Sequence, residues 1–508
     1  FTQDKNSEIY IDKTELLKFL NKKLGTNGKC IAVSHARRFG KSHAAGMIDA
    51  YYSLGSDSSK LFENTKIASD PDYEKYRNKY NVIHLDISSV WDYHKEDLIE
   101  SIEERVCEDF QKIYGDLLNY KRDFYLLIQD IYLLTGIPFV IIIDEWDCVI
   151  RNSHDQALVH KYLQFLHSLF KSEESKSFLA LGYITGILPI KKIKDESALN
   201  NFQEYTMLDS YPITEYYGFT EKEVKDLCKD YSMDFETVKA WYNGYLIDGE
   251  HMYNPNSVSQ ALERHKIDSY WRNTSAFDTI NTFITMNYAG LKDDVMKMLT
   301  GGKVRINTNT FQNDFSIITS KDDALTALIH LGYLGYDADR KKSFIPNYEV
   351  ATAFELALQT GSWKEIAESI SKCDELLDET IDGNAERVAE LIELAHETYT
   401  SILKYNDENV LSCVLTMAYF TAPAYYNVIR EMPSGKGFAD FVFLPRANAG
   451  NRPAMIIELK YNQSAETALK QIKEKRYQGA LSGYQGKILL VGINYDSEKH
   501  HTCMIEEL

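Results

Sequence analysis

The sequence is poor in cysteine, and the cysteines that it has are not paired. The seven of them are scattered along 508 residues, and no two are spaced as a CxxC unit. Their odd number and wide spacing exclude a disulfide framework and a structural zinc site of the usual kind. We therefore expect a protein of a reducing compartment, with a cytoplasmic location.

Long apolar runs are also missing. The longest, residues 137–143, has seven residues, whereas a helix needs about 20 to cross a membrane. The first 20 residues mix charged and apolar side chains and contain no apolar core of a signal peptide. The sequence thus predicts no membrane contact.

Net positive charge, which nucleic-acid-binding proteins usually show on one face, is absent from the chain as a whole. The chain carries 75 acidic and 56 basic side chains, a net charge of −19. Residues 381–508, with 16 acidic and 13 basic side chains, hold only −3 of it. A general polyanion binder is disfavoured, and nucleic acid would meet the least repulsion in the last quarter of the chain.

The first part of the chain alternates between strands and helices. Apolar, strand-like runs are separated by long segments of helical periodicity, and they cover residues 30–34, 81–87, 139–144 and 178–185. Strands separated by helices predict βαβ units and a parallel sheet. The run 139–144 is apolar up to its last residue, as expected for a strand that is covered on both faces.

Beyond residue 210 the pattern changes twice. Up to about residue 380 it is mainly helical, and a helix with a hairpin over 321–346 is similar to a small winged-helix element, for which we favour a packing role. From about residue 406 a new set of elements begins, with strands near 425–430, 438–444, 454–460 and 487–491 and helices over 408–420 and 464–481. We expect an α/β protein of three domains, 1–210, 211–380 and 381–508.

A strand, a tight loop that ends in Gly40-Lys41-Ser42 and a helical stretch follow one another in the first domain. This order is typical of a phosphate-binding loop. Gly40 allows the backbone to approach phosphate oxygens, and the N–H groups of the next helix bind negative charge. Lys41 would reach the β- and γ-phosphates of ATP, and Ser42 would be a ligand of Mg²⁺. The first glycine of the usual GxxxxGK[ST] pattern is replaced by His35, which weakens the motif.

Two acidic residues at the end of a later strand support the same interpretation. There Asp144 can hold Mg²⁺ through water and Glu145 can polarise the attacking water; the alternative is a buried strand with a solvated acidic loop. The next strand ends in Thr185, which would either sense the γ-phosphate or cap a turn. We expect Arg38 to contact the anion. Asp147 would orient a basic side chain near the site or lie on the surface.

A second constellation, of two carboxylates and a lysine, lies near the C-terminus. Asp440 stands within one predicted strand, and the next strand ends in Glu458 and Lys460. Residues two apart in a strand share a face, so Glu458 and Lys460 point the same way. The carboxylates would bind Mg²⁺ or Mn²⁺, and Lys460 would position or deprotonate the water that attacks a phosphodiester. An ordinary hairpin with solvated ends is the alternative.

Three further residues would support this metal site. Glu408, on the predicted helix that precedes the strands, would add a ligand. Gln471 and Lys475 are four residues apart on the predicted helix that follows, so they share a face that can look into the site.

In this order, the motifs resemble those of the bacterial AAA-ATPase-like proteins that carry a C-terminal PD-(D/E)XK nuclease domain. The matching segments span nearly the whole chain and are Tyr10-Ile11-Asp12-Lys13-Thr14, Arg37-Arg38-Phe39-Gly40-Lys41-Ser42, Ile143-Asp144-Glu145, Thr185-Gly186, Gly218-Phe219-Thr220, Trp241-Tyr242-Asn243-Gly244-Tyr245, Tyr253-Asn254-Pro255, Ile345-Pro346-Asn347, and the Asp440, Glu458 and Lys460 set with Gln471 and Tyr477. The chain departs from the family pattern at His35-Ala36, where Arg-Pro is usual, and at Ala439, in place of the proline before the aspartate.

The resemblance implies a P-loop ATPase domain with a parallel sheet, a helical middle region and a restriction-endonuclease-like α/β domain. It places Lys41, Ser42, Asp144 and Glu145 at ATP and Mg²⁺, and Asp440, Glu458 and Lys460 at the nuclease metal. The aromatic segments 241–245 and 253–255 are interpreted as packing between the ATPase and helical parts, not as a ligand site.

Three functions remain open at this point. The leading one is an ATP-regulated, metal-dependent nuclease that acts on DNA, or less favourably on RNA. The second is a nucleotide-switched interaction protein whose nuclease fold only binds, which the net charge of −19 favours. The third is a structural P-loop beside an active nuclease, against which the complete set of P-loop and acidic residues counts. Self-association is compatible with all three.

Overall fold

The computed structural model describes residues 1–115, 123–153, 155–190, 199–271, 280–283, 285–286, 288–299, 301–311, 318–360, 372–403, 414–434, 437–446, 449–475, 481, 484–497 and 500–508. The chain divides into two compact units. Residues 1–227, 244–266 and 305–343 form the first unit, and residues 228–243, 267–304 and 344–508 form the second. A division by compactness does not test the predicted three-domain boundaries, which stay a proposal.

A five-stranded parallel sheet forms the centre of the first unit. Its strands are β1 (Cys30–Ser34), β2 (Asn81–Asp86), β3 (Phe139–Asp144), β4 (Leu179–Gly186) and β5 (Gln203–Thr206). The spatial order is β2-β3-β4-β1-β5, with every neighbouring pair parallel. Strands β1, β3 and β4 are buried along their whole length, because helices cover both faces of the sheet.

Helices lie before and between these strands, and the longer ones cover the two faces of the sheet. They are α1 (Thr2–Lys5), α2 (Leu16–Asn21), α3 (Lys41–Tyr52), α4 (Ser59–Phe62), α5 (Tyr73–Tyr76), α6 (Ile87–Tyr93), α7 (Leu98–Tyr114), α8 (Phe124–Thr135), α9 (Cys148–Asn152), α10 (Gln156–Phe170) and α11 (Glu173–Phe178). Ile31 and Val33 of β1 pack in one hydrophobic cluster with α2 and α3. Ala32 packs in the other with α7, α8 and α10. The alternation along β1 therefore separates the two cores of a three-layer α/β unit.

The middle of the chain is mainly helical, as predicted. Its helices are α12 (Glu221–Asp230), α13 (Phe235–Tyr242), α14 (Pro255–Glu263), α15 (Leu291–Leu299), α16 (Lys321–His330), α17 (Tyr348–Thr360), α18 (Cys373–Asp382) and α19 (Ala385–Leu403). It also contains two small sheets, formed by β6 (Phe219–Thr220), β7 (Tyr245–Ile247) and β8 (Glu250–Tyr253), and by β9 (Val304–Arg305), β10 (Gly335–Asp337) and β11 (Lys342–Phe344). Only the β10–β11 hairpin was expected, since strands of two to four residues leave little periodic pattern.

The second unit contains a five-stranded mixed sheet near the C-terminus. Its strands are β12 (Tyr426–Ser434), β13 (Gly437–Pro445), β14 (Ala454–Tyr461), β15 (Ile488–Tyr495) and β16 (His501–Glu507), in this spatial order. Only the β14–β15 pair is parallel. Helix α20 (Ala465–Glu474) packs Leu469 and Ile472 against Ile456 of β14 and Leu490 of β15. Residues 408–413 of the predicted helix 408–420 lie outside the described residues, and residues 414–418 are helical.

No helix among the residues described here combines the length and the apolar character that crossing a membrane requires.

Candidate nucleotide-binding and metal sites

The phosphate-binding loop connects β1 to α3. Gly40 caps the helix in the left-handed region at φ 85°, which a residue with a Cβ rarely adopts. Lys41, only 7% exposed, donates through Nζ to the carbonyl oxygens of His35 and Ala36, at 2.8 and 2.9 Å. Burial lowers the pKa of Lys41 to about 8, although nearby carboxylates oppose the shift. Ser42 is exposed in the first turn of α3 and Arg38 is half-buried beside it.

His35 turns its side chain away from the loop and into the protein. Its Nε2 lies 2.9 Å from Ser210 Oγ, and its ring centroid lies 5.1 Å from that of Tyr217. Burial, helped by the charge of Lys41, lowers the pKa of His35 to about 3, so the ring is neutral at physiological pH. The side chain that replaces the first glycine of the motif is therefore packed inside the protein.

The segments matched in the middle of the chain contact this loop directly. The N–H of Gly218 donates to the carbonyl oxygen of Phe39 at 3.0 Å, and Asn254 Nδ2 donates to the carbonyl oxygen of Arg37 at 3.4 Å. The Tyr245 ring lies edge-on to Phe39, 5.1 Å between centroids. These contacts position the backbone of the loop from outside the motif, which agrees with the packing role expected for the aromatic segments.

Asp144 and Glu145 lie at the carboxyl end of β3, and Thr185 lies near the carboxyl end of the neighbouring strand β4. The Thr185 hydroxyl donates to Asp144 Oδ1, which also accepts the N–H of Glu145 at 3.0 Å. The structure thus brings Asp144, Glu145 and Thr185 together, and the charges of the two carboxylates act on Lys41. Asp147 is fully buried and bonded to Arg151, which decides between the two interpretations left open for it.

A cavity of about 380 Å³ opens beside Gly40 and was not predicted. Its walls are mainly apolar and include Tyr10, Ile11, Met47, Tyr216 and Phe219. Besides the phosphate-binding loop, the family segments 10–14, 218–220 and 253–255 contribute to it. Lys13, the one basic side chain of these segments, is bonded to Glu223 at 2.7 Å, so their match to the family was the only signal in the sequence.

The second constellation is assembled on β13, β14 and α20. Phe441 pairs with Ile457 in the antiparallel ladder, and the same register continued by one residue places Asp440 opposite Glu458. Directly opposite residues share a face, about 5 Å apart. Lys460 also projects from this face, and its Nζ donates to Glu458 Oε1 at 3.0 Å.

Glu458 is almost completely buried in this site, at 1% exposure. Its Oε1 also accepts a hydrogen bond from Gln471 Nε2, whereas its Oε2 is buried and has no hydrogen-bond partner among the described residues. Burial and the charge of Asp440 raise the pKa of Glu458 to about 7, and the charges of Lys460 and Lys475 oppose the shift. Asp440 accepts the N–H of Leu459 at 2.7 Å.

This donor set fits a hard divalent cation. Two carboxylates face each other, and an orphaned buried oxygen of Glu458 is the kind of ligand that Mg²⁺ or Mn²⁺ prefers. No group of three or more His, Cys, Asp or Glu residues assembles as a metal site in the described part of the chain. Two carboxylates would therefore need further oxygens from water or substrate. Glu408 and Tyr477 lie outside the described residues.

Comparisons with known proteins find two families, each of which matches one part of the chain. Residues 3–194 match the AAA-ATPase-like family, described as predicted AAA-ATPase, and residues 406–505 match a family of the PD-(D/E)XK nuclease superfamily. The chain thus pairs an AAA-ATPase-like domain with a PD-(D/E)XK nuclease-type domain. The domain types expected from the motifs are confirmed, and so is the α/β fold class.

A curated relative and a solved structure add little about activity. The chain is 24% identical over 274 residues to an uncharacterized protein in the vnfD 5' region of Azotobacter chroococcum mcd 1, a match that covers 52% of this chain and 50% of that protein. The ORC2 protein of Aeropyrum pernix, in ADPNP and ADP complexes, superposes over 70% of this chain and 96% of its own with 9% identity and a TM-score of 0.32. A superposition of that quality supports no conclusion about this chain.

Proposed function

We propose that the chain binds and hydrolyses ATP at the 34–42 loop and cleaves nucleic acid at the Asp440 and Glu458 site. The observation that carries the proposal is the second constellation. Two carboxylates are directly opposite each other, one of them buried with an orphaned oxygen, and Lys460 is bonded to it. A purely structural hairpin would have no reason to bury that combination.

At the first site, the residues fit a nucleoside triphosphate as substrate. The apolar cavity beside Gly40 suits a purine base, and the N-terminus of α3 suits the phosphates. Lys41 would exchange its bonds to the loop carbonyls for phosphate oxygens. Ser42 and Asp144 would hold Mg²⁺, Arg38 and Thr185 would contact the terminal phosphates, and Glu145 would orient and polarise the attacking water.

At the second site, Asp440 and Glu458 would hold Mg²⁺ or Mn²⁺. The cation would supply charge neutralisation for the phosphodiester and acidify a bound water. Glu458 is fixed for this role by Gln471 and Lys460. Lys460 can then steady the negative charge that develops on the phosphate or take the proton of the attacking water, and Lys475 adds positive charge to the same face.

We place the protein in the cytoplasm and propose DNA, rather than RNA, as its partner. The net charge of −19 means that binding depends on local groups such as Lys460 and Lys475 together with the cation, so affinity is expected to be modest and sensitive to salt.

The experiment that tests the proposal is cleavage of supercoiled plasmid in Mg²⁺ or Mn²⁺, with and without ATP. Wild-type protein should nick or linearise the plasmid. Glu458→Ala should not, whereas Glu474→Gln, at an exposed acid on the neighbouring helix α20, should behave as wild type. Equal cleavage by wild type and Glu458→Ala would remove the nuclease assignment.

A second function, a nucleotide-switched binding protein, is favoured by one observation. Gly218, Tyr245 and Asn254 contact the phosphate-binding loop. A change in the conformation of the loop would therefore alter its contacts with the β6-β8-β7 sheet. ATP-dependent protection of residues 218–254 from hydrogen exchange, together with no plasmid cleavage, would support it.

A further inference from the structure

Arg151 is buried between the acidic residues that follow β3. Its side chain is 8% exposed, although arginine is rarely buried without a partner. Its Nε lies 2.9 Å from Asp147 Oδ2, and its Nη2 lies 3.1 Å from Glu145 Oε2. One guanidinium therefore joins the two carboxylates on either side of Trp146.

Asp147 anchors this arginine to the neighbouring strand. Its Oδ2 also accepts the N–H groups of Ile187 and Leu188, at 3.1 and 2.8 Å, just after the end of β4. The carboxylate is fully buried. A buried carboxylate with three donors on one oxygen has little freedom to rotate, so Arg151 is held at Nε by a fixed group.

Among the described residues, the Glu145 side chain is held only by its contact with Arg151. Its backbone is in the left-handed region at φ 51°, and its side chain is 40% exposed. A half-exposed glutamate side chain samples several rotamers in water. The contact with Arg151 restricts it to the conformation in which Oε2 faces the guanidinium.

We infer that Arg151 is a positioning residue for ATP hydrolysis, which holds the Glu145 carboxylate where it can orient the attacking water. The inference rests on the proposed ATPase function. The contacts run from the backbone after β4 through Asp147 and Arg151 to Glu145. The Asp147 carboxylate therefore links Glu145, through Arg151, to the strand that carries Thr185. Lysine cannot replace Arg151. The planar guanidinium donates to both carboxylates from different nitrogens, whereas a lysine has a single ammonium that cannot reach both.

The test compares steady-state ATP turnover, calorimetric ATP affinity and melting temperature in the full chain. Arg151→Ala should lower kcat at least about tenfold, as expected when a reacting group is misplaced, while ATP affinity stays near that of wild type. Its melting temperature should fall, because the buried Asp147 carboxylate loses its charge partner. Free guanidinium ion at millimolar concentration should restore part of the lost turnover, whereas sodium chloride at the same ionic strength should not. Arg151→Lys should resemble Arg151→Ala.

Two controls separate this inference from the proposed function. If wild type does not hydrolyse ATP, or if Glu145→Gln turns over as fast as wild type, the hydrolysis proposal fails and the role of Arg151 falls with it. If wild type is active and Glu145→Gln is not, undiminished turnover by Arg151→Ala overturns the inference alone. The inference is also overturned if Arg151→Ala loses turnover, binds ATP more weakly and is not rescued by guanidinium. Arg151 would then only stabilise the local structure.

Discussion

The neutral, buried His35 makes the stability of the first unit depend on pH. Its Nε2 is bonded to Ser210 and its ring is fully buried, so protonation is unfavourable in the folded state and its pKa falls to about 3. In the unfolded chain the ordinary value of about 6.5 applies. Between these two pH values the unfolded state binds more protons than the folded state. The contribution of His35 to the free energy of unfolding is therefore fully present above about pH 6.5 and is lost as the pH falls towards 3.

The size of the effect follows from this difference. Between pH 7.5 and pH 5.5 the unfolded state gains about 1.4 kcal/mol from protonation of this one histidine, while the folded state gains almost nothing. His35→Gln keeps a nitrogen able to reach Ser210 but removes the titration. The free energy of unfolding of the variant should therefore fall by about 1.4 kcal/mol less than that of wild type when the pH is lowered from 7.5 to 5.5.

Urea unfolding at the two pH values measures this quantity for both proteins. Other titrating groups contribute equally to wild type and variant and cancel in the comparison. A pH dependence of the free energy of unfolding that is the same in both proteins would show that His35 is protonated, or exposed, in the folded state, and the description of the loop would be wrong.

The remaining predictions concern the loop, the C-terminal sheet and the hairpin. Lys41→Ala should weaken ATP binding at least about tenfold, or about 1.4 kcal/mol, by calorimetry, and unchanged affinity would refute the phosphate role. Gly492→Ala should lower stability by about 1–3 kcal/mol in thermal melting, because a Cβ would overlap the carbonyl oxygen of Ala465 where α20 packs on β15; a variant as stable as wild type would contradict that packing. Charge reversal at Lys341 and Lys342 should leave DNA affinity unchanged, whereas a clear loss with a shallower salt dependence would favour a winged-helix contact.

The apolar strands, and side chains that lie close together in sequence on one face of a strand, were the most predictable features of the chain. The run 139–144 coincides with β3 because a strand buried on both faces is apolar throughout. The common face of Glu458 and Lys460 followed from the two-residue period of a strand, and the contact between them bears it out.

Polar edge strands were the features that the pattern did not reveal. Strands β5 and β16 lie at the edges of their sheets, and both mix exposed and buried residues without a clean alternation. Their pairing is set by neighbours that are distant in sequence, β1 and β15. Propensity and periodicity are local properties and carry no information about such partners.

The residues that surround and position the site residues were equally hard to predict from the sequence. Arg151 is six residues from Glu145, and its role depends on Asp147 and on backbone groups of the next strand. The cavity beside Gly40 is built from segments 10–14, 216–219 and 255–263, which meet only in the fold. The sequence therefore indicated the groups that carry chemistry but not those that position them.

Binding of Mn²⁺ to the nucleotide-free protein tests the central claim most directly. Calorimetry should show one site in wild type that Glu458→Gln weakens at least about tenfold, since the substitution removes the charge of a ligand but keeps its shape. Glu474→Gln, at an exposed acid of the neighbouring helix α20, should bind Mn²⁺ as wild type does. Equal Mn²⁺ affinity in wild type and Glu458→Gln, or no binding by wild type, would contradict a metal site formed by Asp440 and Glu458.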